Sequence, residues 1–318
     1  MIRMLAAAFF AAVVASPCAA QYPDRPVTML AGFPAGGLVD IVARVVAEGM
    51  KPRFPKGIVV VNKPGAGGAV AVSETVQAKP DGYTILLTPQ SSLVIPPQQT
   101  AQLAYKTPDD YDPVINVISY YPLLVVKSDA PWKTIQAFVA DATANPGKMR
   151  IGTPGEGTAS HLNLEEFIFR TETKMIPVPY AGWAQSSVAL LGGHIEAVVA
   201  QPGEAKPQVD GGKMRALAVF QGTRHPAFPG APTAKEAGWD VGIGVWYLIV
   251  APKGTPAAAL KQIHDAGKAA IEQKSFADTM RARGVDIDYR AGEALRADLW
   301  KQYKELGAVM RRIGIVKQ

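Results

Sequence analysis

The strongest constraint on this chain is a unit that recurs along it: a short apolar run, a glycine-rich turn, then apolar residues at helical spacing. Val27 to Ala31 is such a run, and after the turn Phe33 to Gly37 the positions Leu38, Ile41, Val42, Val45 and Val46 share one helical face. Ile58 to Val61 reads as a second strand and Val70 to Gln77 as a helix. Tyr83 to Leu87, after the Asp81-Gly82 turn, reads as a third strand. Strands that alternate with helices bury both sheet faces, which predicts a mainly parallel sheet flanked by helices.

The pattern restarts after the polar, proline-bearing stretch Thr107 to Pro113. Strands are predicted at Val114 to Ile118, Leu123 to Val126, Met149 to Gly152, Ala197 to Val199 and Arg215 to Phe220. Helices are predicted at Thr134 to Thr143, Ser160 to Phe169 and Trp183 to Leu191. Val245 to Val250 is a further apolar strand, followed by a helix with Thr255 as N-cap and Pro256 in its first turn. Leu295, Leu299, Tyr303, Leu306 and Met310 form the stripe of a closing helix, expected to pack on the first lobe. The fold expected is a two-lobe α/β protein, with residues 21–112 plus 240–318 in the first lobe and 113–239 in the second.

Arg3, the apolar run Leu5 to Val14 and the small residues Ala15 to Ala20 have the layout of a secretory signal, with cleavage expected after Ala20. That run is too short for a membrane span. Cys18 is the only cysteine, so the exported chain is expected to carry neither disulfide nor thiol chemistry; Pro17 argues against lipidation at Cys18. The formal net charge is +6, with Lys and Arg scattered singly, so no nucleic-acid footprint is seen and anionic small molecules are favoured over cationic ones.

Catalytic and metal signatures are absent from the sequence: there is no G-x-S-x-G, no H-E-x-x-H, no P-loop lysine motif and no paired-cysteine spacing. His161, His194, His225 and His264 stand apart along the chain. No metal, no cofactor and no enzyme activity are expected. The Gly65-Ala66-Gly67-Gly68 turn lacks the third glycine of a dinucleotide loop, which Val70 replaces. More informative is Phe33-Pro34-Ala35-Gly36-Gly37, which joins a strand end to a helix start. There, open backbone amides and the helix dipole favour an anion. Gly155, Gly157, Thr158 and Ser160 repeat that chemistry in the second lobe with added hydroxyls, and Thr88-Pro89-Gln90-Ser91-Ser92 reads as a third donor-rich turn. Facing turns on two lobes make a cleft for an acid.

At these positions the chain resembles the receptors of tripartite tricarboxylate transporters, also called Bug receptors. The resemblance runs through Phe33 to Asp40, Asn62 to Gly68, Pro80 to Thr84 and Asn145 to Lys148. It continues through Ser160-His161-Leu162, Val178-Pro179-Tyr180 with Gly182, Leu190 to Gly193, Gly212-Lys213, Arg215 to Val219 and Ala251 to Pro256. It implies a periplasmic Venus-flytrap monomer that captures a small carboxylate and passes it to inner-membrane transporter subunits. The ligands implied are di- or tricarboxylates, and in some cases amino acids or aromatic acids. It further implies that Phe33 to Gly37 and Gly155 to Ser160 hold a carboxylate, with Asp40, Thr88, Gln90, Ser91, His161, Tyr180, Gly182, Trp183, Gln201 and Trp246 around the ligand. Three departures bear on the ligand: Trp183 stands where a small residue is usual, Ala200-Gln201-Pro202 replaces a segment that often carries Asp, and Leu248 replaces a common Gly. Trp183, Tyr180, Trp246 and Tyr247 are expected to bring several rings to the cleft.

Two other functions stay open at this point. A carboxylate receptor that reports to a membrane sensor has the same sequence features, and a secreted hydrolase would have to use Ser160 and His161, which as helical neighbours do not face each other. The export reading makes one prediction: N-terminal sequencing of periplasmic protein begins at or near Gln21. A soluble cytoplasmic chain that retains Met1 would refute it.

Overall fold

A computed structural model describes residues 22–316. The expected secretory segment lies outside the described residues. The chain runs through β1 (Val27–Ala31), α1 (Leu38–Met50), β2 (Ile58–Asn62), α2 (Ala69–Gln77) and β3 (Thr84–Pro89). Two short helices, α3 (Gln90–Val94) and α4 (Pro96–Gln99), lead to the long strand β4 (Tyr111–Tyr120). Then come β5 (Leu123–Lys127), α5 (Ile135–Ala144), β6 (Arg150–Thr153), α6 (Ala159–Thr171), β7 (Ile176–Pro179) and α7 (Trp183–Leu191). The path continues through β8 (Ala197–Ala200), α8 (Pro202–Asp210), β9 (Met214–Val219) and β10 (Val245–Pro252). It ends in α9 (Ala257–Ile271), α10 (Lys274–Ala282), β11 (Asp286–Ala291) and α11 (Gly292–Arg312).

The strands form two sheets, one of six strands in the order β11-β4-β10-β3-β1-β2 and one of five in the order β7-β6-β8-β5-β9. Parallel pairing, expected to dominate, holds for β1 with β2 and β3 and for β6 with β7 and β8. It gives way to antiparallel pairing where β10 lies between β3 and β4, and where β5 lies between β8 and β9. The reason is connectivity: β4 carries the chain towards the second sheet and β10 brings it back, so the two run in opposite directions. Val114 to Ile118, expected to open the second lobe, instead lies inside β4 in the first sheet, and the crossing falls between Tyr120 and Leu123.

Each sheet has its own core. Met29, Leu86, Ile249 and Ile263 belong to the first, and the stripe Leu295, Leu299, Leu306 and Met310 of α11 joins it as the spacing predicts. The second sheet is covered on one face by Phe138, Leu164 and Phe167 and on the other by Leu190, Ile195 and Phe228. Thr134 caps α5 by accepting the Ala137 amide, and Thr158 caps α6 by accepting the His161 amide at 3.2 Å. The sequence reading misses α8 and β7, because Pro207 inside α8 and Pro177 and Pro179 within the four residues of β7 hide their periodicity. The stretch Thr88 to Ser92, expected as a turn, is instead the end of β3 running directly into α3.

Leu299 is fully buried in the first core. Leu299→Ala should therefore lower stability by about 2–5 kcal/mol, seen as an earlier midpoint in denaturant unfolding. A loss under ~1 kcal/mol would mean that α11 packs loosely on the sheet.

Candidate functional site

The strand-to-helix junctions of both lobes face one cleft. Its outer part is a cavity of about 210 Å³ lined from the first lobe by Phe33 to Val39 and from the second by Pro154, Ala181 to Gln185, Gln201 and Glu204. Its inner end is a cavity of about 10 Å³, close to one water in size, bordered by Phe33, Ser91 and Tyr120 on one side and Thr158, Ala159, Ser160 and Gln201 on the other. Phe33, Pro154 and Gln201 border both.

The lobes approach closely at two glycines. A Cβ on Gly182 would lie 3.3 Å from the Pro34 ring. A Cβ on Gly67, whose φ of +61° already favours glycine, would lie 2.5 Å from the Glu156 carbonyl oxygen. The arrangement is thus closed, with backbone against backbone across the cleft.

Helix α8 ties the lobes together from the second side. The Leu38 amide donates to Glu204 Oε1 at 3.1 Å, the Tyr247 hydroxyl donates to Gln201 Oε1 at 2.6 Å, and Arg283 donates to the Gly203 carbonyl at 3.3 Å. Tyr120 sits 3.1 Å from the Tyr247 hydroxyl; since Tyr247 gives its proton to Gln201, Tyr120 is the donor in that pair. On the far side of α6, Asn163 both donates to and accepts from the Ile243 backbone, and Arg312 of α11 pairs with the buried Glu166.

The first helix start differs from the sequence expectation. Two of its amides have side-chain acceptors: Gly36 donates to Asp40 Oδ2 at 3.0 Å, and Leu38 donates to Glu204. Burial pushes the Asp40 carboxyl up, but the bonds from Arg44 and the Gly36 amide outweigh it and hold the pKa below its usual value. Asp40 therefore fastens its own turn. Phe33, Pro34, Ala35, Gly36 and Gly37 line the outer cavity.

In the second lobe, Thr158 and Ser160 reach the inner cavity as expected. Gly155 and Gly157 shape the turn behind them: the Thr158 hydroxyl donates to the Gly155 carbonyl at 2.7 Å, and the Gly157 amide donates to His161 Nδ1. His161 also meets Glu165 at 3.3 Å, so both its ring nitrogens serve α6 and neither pairs with Ser160. That removes the geometric basis of a Ser160–His161 hydrolase.

Ser91 borders the inner cavity. Thr88 is fully buried at the end of β3, and Gln90 is occupied by the backbone of Gly244 and Trp246. The expected convergence of rings does not occur. Tyr180 packs on the second-lobe core, and Tyr247 is fully buried. Trp246 faces a separate hollow with the Arg290 guanidinium 4.2 Å from its ring. Trp246 and Tyr247 are neighbours on β10 and point to opposite faces of its sheet, and the Tyr247 hydroxyl reaches the cleft only through Gln201. Trp183, at the start of α7, and Phe33 are the aromatic rings on the outer cavity.

Glu204 was missed by sequence reasoning. Its signal was weak: an acidic residue in the first turn of a helix reads as a favourable dipole contact. The side chain is 8% exposed, and Oε2 is buried with no hydrogen-bond partner. Burial raises its pKa to about 7, against the lowering effects of the Leu38 amide and of Arg283.

No group of three or more His, Cys, Asp and Glu side chains among the described residues is arranged to hold a metal ion, and no described helix is long and apolar enough to cross a membrane.

Two α/β lobes joined by crossing strands, with a ligand-sized cleft between them, define the periplasmic binding-protein fold. Residues 42–315 match the family described as "Tripartite tricarboxylate transporter family receptor", and the chain belongs to that family. A Cupriavidus necator protein described as "UPF0065 protein in gbd 5'region" is 34% identical over 98% of this chain and 94% of its own length. The structure of the periplasmic binding protein BugD superposes with a TM-score of 0.89 at 30% identity, covering 93% of this chain and 100% of BugD. MatC from Rhodopseudomonas palustris, solved with bound malate, superposes with a TM-score of 0.82 at 25% identity, covering 93% of this chain and all of MatC.

The raised pKa of Glu204 has a thermodynamic consequence. A carboxyl whose folded pKa lies above its unfolded value of 4.5 adds stability below that value and loses it as pH rises through about 7. The groups facing it are Arg283, which opposes the shift, and the Tyr120 and Tyr247 hydroxyls, which burial keeps neutral. The melting temperature of the ligand-free protein should fall between about pH 5 and about pH 8, and Glu204→Gln should flatten that slope. Equal slopes for both proteins would mean that Glu204 ionises without penalty.

Proposed function

We propose that this protein is a non-enzymatic receptor that captures a small carboxylate in the inter-lobe cleft and delivers it to an inner-membrane transporter. The observation that carries the reading is the inner end of the cleft, where Ser91 of the first lobe meets Thr158 and Ser160 of the second around one small cavity. Ala159 and Ser160 are the first residues of α6, a 13-residue helix, so the dipole of that helix favours an anion at this spot. The first-lobe helix start, where Asp40 and Glu204 already accept from the Gly36 and Leu38 amides, is the less favourable place for a second carboxylate.

The inner cavity, about 10 Å³ in this closed form, has room for little more than a water, so the ligand enters an opened cleft and the lobes close around it to a somewhat wider inner cavity. On this reading residues 22–120 with 245–316 move as one lobe and residues 123–239 as the other. The malate bound to MatC supports a carboxylate as the ligand class. Family membership supports a transporter as the recipient, and a membrane sensor is the second reading that the same cleft would serve.

The reading is tested by thermal unfolding in the presence of mono-, di- and zwitterionic carboxylates and of neutral sugars. A ligand at about 100 times its dissociation constant should add ~2.7 kcal/mol of stability. Ser160→Ala removes one hydrogen bond to a charged group and should weaken that ligand by about 1.5–3 kcal/mol. Stabilisation by sugars alone, or undiminished carboxylate binding by Ser160→Ala, would refute the site.

A further inference from the structure

The outer cavity is walled by Pro34, Leu38 and Trp183, and neither Lys nor Arg is among the residues lining it. Set into this wall is Glu204, 8% exposed, with Oε1 holding the Leu38 amide and Oε2 buried without a partner. A buried carboxylate with an unused oxygen is costly unless a cation or donor meets it, and a second anion there is repelled at short range in a poorly solvated space. The Trp183 indole borders the same cavity, and the face of an indole attracts a cation.

Resting on the carboxylate-receptor reading above, we propose that Glu204 sets the ligand class: the cleft takes a zwitterion, with its carboxylate at Thr158 and Ser160 and its cationic nitrogen between Glu204 and Trp183. A diacid is disfavoured because Glu204 could meet its second carboxylate only by keeping its proton, and no basic side chain lines the cavity to compensate the two acids once Glu204 ionises. The arrangement also explains why a carboxyl group stands in an otherwise apolar wall: the ligand supplies the missing charge. Since burial raises the pKa of Glu204 to about 7, arrival of a cation ionises it, and binding releases a proton.

The test is calorimetry on the mature protein with matched probes: 4-aminobutyrate and 5-aminopentanoate against succinate and glutarate, with butyrate and pentanoate as singly charged controls. The better amino acid of the pair should bind at least about tenfold tighter than the matching diacid, which corresponds to ~1.4 kcal/mol. Glu204→Gln, which keeps an acceptor for the Leu38 amide, should weaken the amino acid by about tenfold or more and strengthen the diacid, reversing the order. Runs in two buffers of different ionisation enthalpy should show proton release with the amino acid in the native protein and none in the variant. Should the variant fail to fold, the native preference and its proton release decide alone. A diacid bound more tightly by the native protein, or a preference that Glu204→Gln leaves unchanged, overturns this assignment while leaving the carboxylate receptor standing. Binding of no carboxylate of any kind overturns both.

Discussion

The closed form of this molecule depends on how one helix of the second lobe is gripped by the first. Gln201, Gly203 and Glu204, at the start of α8, meet Tyr247, Arg283 and the Leu38 amide respectively. All three contacts are hydrogen bonds between lobes, and each net contribution is modest, of order 0.5–1.5 kcal/mol for the neutral Tyr247–Gln201 pair and about 1.5–3 kcal/mol where a charged group takes part. Their effect is one of geometry. They fix α8 against the start of α1, which brings Gly182 against Pro34 and Gly67 against the Glu156 carbonyl. The cleft between them is what remains.

That grip also decides the chemistry of the cleft. At the start of α1 the Gly36 and Leu38 amides already meet the carboxyl groups of Asp40 and Glu204, so two acids of the protein itself stand where an anion would approach. The start of α6 is capped by Thr158, while Ala159 and Ser160 still border the inner cavity. The two ends of the cleft therefore differ in sign: a hydroxyl-lined, helix-dipole end suited to a carboxylate, and an apolar end bearing a buried acid. An asymmetric cleft selects an asymmetric ligand.

Much of the fold was legible because its signals are local. The apolar stripe of α1, the Thr134 and Thr158 caps and the stripe of α11 are each written within a few residues. What was not legible depends on contacts between distant segments. The membership of β4 in the first sheet is set by its pairing with β10, more than a hundred residues away, and proline masks α8 and β7. Among the residues that line the cleft, turn and helix-start chemistry marked Thr158 and Ser160, and the family resemblance marked Trp183. Glu204 was marked by neither, since its role comes from an amide 166 positions away. Trp246 and Tyr247 were expected at the cleft from the family resemblance; Trp246 instead stacks with Arg290 at a separate hollow, and Tyr247 is buried behind Gln201.

The measurement that bears most directly on this account is a crystal structure of the mature protein grown with a carboxylate that raises its melting temperature. The account predicts closed lobes, with a carboxylate oxygen within hydrogen-bond distance of the Ser160 hydroxyl and the first amides of α6, and with the Leu38 amide still on Glu204. A carboxylate seated on the Gly36 and Leu38 amides in place of Asp40 and Glu204, or bound outside the cleft, would contradict it.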